Sequence, residues 1–371
     1  MALPRRGAAG TGAATRPPAV RVSAGMGAAL CAALVASGLA GYSLVAAMRA
    51  PSRGAAAAFG SSPRAKLLGG QQLVRVWKIG YRAFDGKWRS AFVVLPRWYG
   101  PRRHPPIPIV ISPHGRGIEP QANAQRWGNL PAIGRFAVVN PEGQGRRLEL
   151  QSWGAPGDIA DLARMPQIVT RALPWLRIAP HRVYAVGSSM GGQSTLLLAA
   201  QYPHLLAGAA ALDAPTNLAA RYRAFGGMSH GRRLQRLARL EFGGTPVANR
   251  DGYADRSPLS YAGALARSGV PLEIWWSTCD RVVVHQAGES GLLYRTIKRF
   301  DPFAQVSEVV GSWPHSSEFR ATRSLPLVLI RLGLLRGRWA GRGLSAALAS
   351  LWQPNTGHGG SPLACLRRSR L

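Results

Sequence analysis

Short apolar runs recur along the chain between residues 73 and 310, and their setting changes once. The first two runs belong together. Leu73-Val74-Arg75-Val76-Trp77 and Ser90-Ala91-Phe92-Val93-Val94-Leu95 flank Asp85-Gly86, a pair suited to a tight turn, and predict a β-hairpin. Later runs stand alone: 107–111, 136–139, 183–186, 209–212, 272–276 and 306–310. Most are apolar on both faces, as in a strand covered on both sides of a parallel sheet. Helix-length segments separate them, notably 158–176, 190–201 and 325–335, the last with Pro326 in its first turn. Strands alternating with helices predict a mostly parallel, doubly wound α/β sheet with right-handed crossovers, preceded by the hairpin.

The alternation lapses at 214–270, where Arg and Gly are frequent and Gly226-Gly227 and Gly243-Gly244 interrupt any long element. This stretch is too long for a plain connection and predicts an insertion that caps the carboxyl edge of the sheet. The expected organisation is therefore a basic leader at 1–66, a folded domain at 67–336 containing that insertion, and a basic tail at 337–371.

Charge sharpens this division. Every acidic residue lies between Asp85 and Glu318, whereas 47 basic residues against 16 acidic ones give a formal net charge of +31. No RNA-binding signature, zinc finger or basic zipper accompanies the excess, so specific nucleic-acid binding is not expected. Solvated tails and an arginine bias account for it, with attraction to an anionic membrane surface as the second reading. Within the leader, 22–48 is uncharged, rich in Ala, Gly, Leu and Val, and preceded by Arg5, Arg6, Arg16 and Arg21. That layout predicts a signal or membrane anchor and an exported or membrane-anchored protein. The alternative is a cytoplasmic chain starting at Met48. Cys31, Cys279 and Cys365 form neither a disulfide framework nor a metal-ligand pattern.

One motif carries chemistry outright. Gly187-Ser188-Ser189-Met190-Gly191 directly follows a predicted strand and directly precedes a predicted helix. A G-x-S-x-G turn between those elements is sharp enough to lift the serine hydroxyl clear of the backbone, and the glycines remove side chains that would clash. Ser189 is thus the expected nucleophile. A serine hydroxyl needs a base, and His315 lies just after the run 306–310. An acid should orient that histidine. Asp280, after the run 272–276, is the expected one, and Asp213, after the run 209–212, is its rival. Asp301 sits too close to a helix end.

The oxyanion formed on attack needs N–H donors. Ser112-Pro113-His114-Gly115-Arg116-Gly117 follows the run 107–111, so the amide of Arg116 or Gly117, together with that of Met190, is expected to supply them. His114 is then a loop-shaping residue. Trp153 and Trp313 are candidates for the wall of a substrate pocket, with core packing as the alternative for each. Asp158 and Asp161 open a helix, where carboxylates suit the dipole.

Together, His114-Gly115-x-Gly117, Gly187-Ser188-Ser189-Met190-Gly191-Gly192, Asp280 and His315 resemble the α/β-hydrolase superfamily. The G-x-S-x-G-G motif with a preceding His-Gly loop looks like its prolyl-oligopeptidase-like branch, which shades into dienelactone-hydrolase-like, feruloyl-esterase-like and polyhydroxybutyrate-depolymerase-like enzymes. The similarity covers residues 70–335. Arg116 stands where lipases of this superfamily continue the loop with glycine, and 371 residues leave no room for a prolyl-oligopeptidase propeller. The resemblance implies an α/β-hydrolase fold and a serine hydrolase acting on a small carboxylic ester, with a short peptide as the alternative substrate. A catalytically silent surface protein of the same fold is the third reading. No divalent-metal motif or dinucleotide fingerprint is present, so no cofactor is expected.

Overall fold

In the computed structural model, residues 65–67, 73–143 and 153–336 are described. The expected anchor at 22–48, nearly all of the leader and the tail at 337–371 lie outside them. One sheet of nine strands organises the described chain: β1 (Lys66–Leu67), β2 (Val74–Arg82), β3 (Trp88–Pro96), β4 (Ile107–Ile111), β5 (Ala137–Pro141), β6 (Ile178–Ser188), β7 (Gly208–Leu212), β8 (Leu272–Ser277) and β9 (Val306–Gly311). Their spatial order is β1-β2-β3-β5-β4-β6-β7-β8-β9. β2 and β3 form the antiparallel hairpin, closed by Gly86 at φ 76, and β3 joins β5 antiparallel. From β5 to β9 all pairings are parallel, as the doubly apolar runs imply.

Helices cover both faces: α1 (Pro120–Gln125), α2 (Leu130–Gly134), α3 (Pro156–Ala172), α4 (Met190–Gln201), α5 (Leu218–Phe225), α6 (Gly231–Phe242), α7 (Arg250–Ala254), α8 (Ala262–Arg267), α9 (Ser290–Phe300) and α10 (Leu325–Arg331). The two-residue period of the strands divides the core. Ile109, Ile111, Val139, Ala211 and Ile274 pack with α3, α4, α8 and α9, while Val110, Val138, Val186, Leu212 and Trp275 pack with α10.

Several boundaries differ from the sequence pattern: β2 runs on to Arg82, and the helices expected at 158–176 and 325–335 end at Ala172 and Arg331. β6 begins at Ile178, not near Val183, because its first half carries Pro180, His181 and Arg182, which are exposed and hide the strand from a hydrophobicity reading. β1 has only two residues, too few to leave a pattern.

Asp158 and Asp161 do more than face a helix dipole. Asp158 Oδ1 pairs with Arg89 Nη1 of β3 at 2.8 Å, and Asp161 Oδ2 accepts the Phe84 N–H of the hairpin turn at 3.0 Å. Arg164 pairs with the other oxygen of Asp161. Burial pushes Asp158 up to about 7, against the pull of Arg89. These buried groups join the hairpin to α3.

Helices α5 to α8 occupy the interval between β7 and β8. Asn217 caps α5 by accepting the Ala220 N–H at 3.0 Å. Leu218, Phe225, Ala238, Phe242 and Tyr253 from this interval form a small apolar core with Trp153 and Met190. Met190 follows Ser189 directly, so the helical insertion packs against the turn at the carboxyl end of β6.

Candidate active site

The carboxyl ends of the parallel strands share one edge of the sheet, where ligands of open α/β folds bind. β6 passes into α4 through Ser189 alone. That residue has φ 58 and ψ −128, outside the regions an L-residue ordinarily occupies. Such a conformation costs roughly 1–3 kcal/mol and persists only where surrounding contacts impose it. Here the Ser189 N–H donates to the Leu212 carbonyl at 2.8 Å, and the Gln193 N–H donates back to the Ser189 carbonyl at 3.0 Å. The two motif glycines leave no room for side chains. A Cβ on Gly187 would fall 2.4 Å from the Gly191 oxygen, and one on Gly191 would fall 2.1 Å from the Pro113 oxygen.

Ser189, His315 and Asp280 form one hydrogen-bonded line. Ser189 Oγ lies 2.8 Å from His315 Nε2, and His315 Nδ1 lies 2.7 Å from Asp280 Oδ2. A carboxylate facing Nδ1 keeps the proton on that nitrogen, which leaves Nε2 to accept from the serine hydroxyl. Asp280 is fixed in turn. Its Oδ1 accepts the N–H groups of Val282 and Val283, both at 2.8 Å, and its Oδ2 accepts Gln286 Nε2 at 3.1 Å. Hydrogen bonds from three donors hold the carboxylate in this orientation.

Asp213 joins the same edge. It is fully buried at φ 49, its two oxygens accept Trp313 Nε1 at 3.1 and 3.0 Å, and Oδ2 also accepts the Ser316 N–H at 2.8 Å. Burial and the neighbouring Asp280 charge push Asp213 up to about 7, opposed by His315 and the hydrogen bonds it accepts. Ligand-type atoms of Asp213, Asp280 and His315 lie within 4.8 Å of one another. Those atoms already face N–H donors or a hydroxyl, so the set does not suit a metal ion.

The loop after β4 reaches this edge as well. A Cβ on Gly115 would touch the Ser189 Cβ at 3.5 Å, and Gly117 adopts φ 74. Met190 is the first residue of α4, where a backbone N–H has no acceptor within its own helix. Arg116 lies between the two loop glycines, and its guanidinium stacks 5.1 Å from the Trp153 ring centre. His114 is buried, with Nδ1 3.0 Å from the Gly115 carbonyl, and burial lowers its pKa, so it shapes the loop as a neutral ring.

The structure does not bring the two tryptophans together. Trp153 is buried beside Met190, its N–H 3.1 Å from Met190 Sδ and its ring 5.9 Å from both Phe225 and Phe242. Trp313 lies in the core on the α10 face, with its ring over Gly311 and its indole N–H on Asp213. Sequence reasoning also passed over Ser188 and Ser316, whose hydroxyls hydrogen-bond at 2.5 Å and tie the nucleophile turn to the histidine loop. A serine beside a serine carries no signal of its own.

No family model matches the chain. Among curated proteins it is similar to poly(3-hydroxyalkanoate) depolymerase C of Paucimonas lemoignei, 28% identical over 239 residues that make up 60% of this chain and 52% of the relative. The chain thus spans about half the length of the curated relative it matches. Among solved structures it is similar to Porphyromonas gingivalis dipeptidyl peptidase 4, at TM-score 0.52 and 16% identity over 71% of this chain and 35% of that one. Pyrococcus horikoshii acylaminoacyl peptidase gives 0.52 and 15%, over 80% and 44%. A fluorophosphonate-binding serine hydrolase of Staphylococcus aureus gives 0.50 and 15%, over 66% and 92%. At such identities these structures establish the fold.

Proposed function

We propose, from the premise that this chain is an α/β hydrolase, that it cleaves carboxylic esters through an acyl-enzyme on Ser189. The observation that carries this reading is the continuous line Ser189–His315–Asp280 at a strained strand-to-helix turn. Ser189 Oγ attacks the acyl carbon while His315 Nε2 takes its proton. The oxyanion is held by the Met190 N–H and that of Arg116 or Gly117, each such donor contributing about 10²–10³ in rate. His315 then protonates the departing alcohol. A water, deprotonated by the same nitrogen, releases the acid and restores Ser189. Asp280 holds His315 in the required tautomer and stabilises the imidazolium.

The choice of esters rests on the relative named as a poly(3-hydroxyalkanoate) depolymerase, since such a polymer is a chain of ester-linked hydroxyacids. Short oligoesters of hydroxyacids are therefore the proposed substrate class. Cleavage of short peptides uses the same residues on an amide and is the second reading, favoured by the two peptidase structures of like fold. A surface protein without activity is the third. The basic leader with its apolar segment at 22–48 supports export or membrane attachment as part of the same proposal. Purified protein assayed on 4-nitrophenyl esters, on 3-hydroxybutyrate oligomers and on peptide amides tests the reading. Turnover of the esters and oligomers that vanishes in Ser189→Ala supports it. Turnover of amides alone transfers the function to the peptidase reading.

A further inference from the structure

Helix α5 packs against Met190, the residue after Ser189, and one residue on its inner face is chemically out of place. Leu218, Arg221 and Phe225 are its buried positions, at spacings of three and four residues, so they share one face. Leu218 and Phe225 pack with Met190 and Trp153. The centre of that apolar face is therefore an arginine, and only 5% of it is exposed.

A guanidinium offers five N–H donors and no acceptor, and burying one is costly unless an anion faces it. Among the described residues the only hydrogen bond that the Arg221 guanidinium makes is a long one, Nη1 donating to Met228 Sδ at 3.8 Å. Its charge also lies 4.7 Å from the Phe225 ring centre. No carboxylate of the described residues lies within ion-pair distance of it. Two act on it from further away, Glu289 and Asp280, and both raise a pKa that burial lowers. Glu289 is already engaged: its Oε2 accepts the N–H groups of Thr216 and Asn217 at 2.7 Å each, bracing the start of α5. Asp280 is engaged with His315, Gln286 and two backbone amides. Each buried carboxylate near Arg221 thus has its own partners, whereas the donors of Arg221 have almost none.

We propose that Arg221 binds a carboxylate of the substrate, so that the ester cleaved at Ser189 carries a free carboxylate on its acyl or alcohol side. This rests on the ester reading above and narrows it: an oligoester of hydroxyacids ends in one carboxylate, and a fork of guanidinium N–H donors matches that group in geometry and charge.

Two matched esters test it on the full chain. 4-Nitrophenyl hydrogen adipate carries a free carboxylate, and 4-nitrophenyl methyl adipate has it capped. The wild-type protein is expected to show kcat/KM about 10- to 100-fold higher for the free acid, mainly through KM, the range one charge-assisted pair supplies. In Arg221→Met the ratio should fall to about one, and Arg221→Lys should recover part of it. A ratio that stays at its wild-type value in Arg221→Met overturns the proposal, as does a wild-type ratio near one. An arginine that only balances the nearby carboxylates would shift the pH dependence of both esters alike and leave their ratio unchanged. Should Arg221→Met not fold, inhibition of the wild-type protein decides: adipate should compete with the capped ester at least tenfold better than dimethyl adipate, and equal inhibition overturns the proposal. Absence of ester turnover in the wild-type protein, by contrast, defeats the ester reading itself.

Discussion

The backbone N–H of Ser316 donates to Asp213 Oδ2 at 2.8 Å, so the residue directly after His315 is held by the carboxylate that rivals Asp280. Trp313, two residues before His315, donates its indole N–H to the same carboxylate. Asp213 therefore grips the histidine loop on both sides, while Asp280 grips the imidazole itself.

This division predicts unequal effects at the two positions. Asp280→Asn removes the charge beside Nδ1 and favours the wrong imidazole tautomer, so turnover at neutral pH should fall by about 10⁴-fold. Asp213→Asn keeps an oxygen for the loop, and should lose on the order of tenfold. Steady-state rates on well-folded variants check both. The reverse ranking would give the role of acid to Asp213.

Asp213 also predicts a pH effect on stability. Its folded pKa, pushed up to about 7, lies above the 3.8 of an ordinary carboxyl. Between those values the folded chain binds more protons than the unfolded chain at this residue, so its contribution falls as pH rises from about 4 to about 7 and levels off above. Asp213→Asn removes that decline. The melting temperature of the variant relative to wild type should rise across this interval, and a flat difference would show that Asp213 is ionised throughout.

Arg89 is buried between Asp158 and Asp161, at 2.8 and 3.6 Å, with Asp85 at 3.3 Å. Arg89→Met leaves buried carboxylates without their counter-charge, and should cost about 3–5 kcal/mol in denaturant unfolding. Because these residues tie the hairpin to α3 and touch none of the proposed reacting groups, kcat below the melting transition should change by less than threefold.

Gly191→Ala tests the turn. A Cβ there meets the Pro113 carbonyl at 2.1 Å, backbone against backbone, with no side chain free to move aside. The variant should unfold at markedly lower temperature, or fold with Ser189 displaced and activity lost. Retention of wild-type stability and turnover would mean that the turn relaxes more easily than its contacts imply.

Much of this was legible in the sequence. The change from hairpin to doubly apolar runs fixed the sheet type, and strand–turn–helix context singled out Ser189. Choosing between Asp213 and Asp280 was harder, because both follow parallel strands and both reach the same edge. Only side-chain geometry shows that one bonds the imidazole and the other the loop around it. Trp313 read as a pocket candidate because aromatic residues near a histidine suit a pocket wall, whereas its indole N–H is spent on Asp213. Arg221 left no trace: in a segment dense with arginines, the one at the centre of an apolar face reads like the rest until the helix is placed. The Arg89–Asp158 pair joins residues 69 apart, which no local pattern reveals.

The most direct test of the central claim is covalent labelling by a fluorophosphonate, followed by mass spectrometry of the modified peptide. The account predicts one adduct, on Ser189, its formation slowed by Asp280→Asn and lost together with ester hydrolysis in Ser189→Ala. An adduct on any other residue, or ester turnover in Ser189→Ala above a tenth of the wild-type rate, would contradict it.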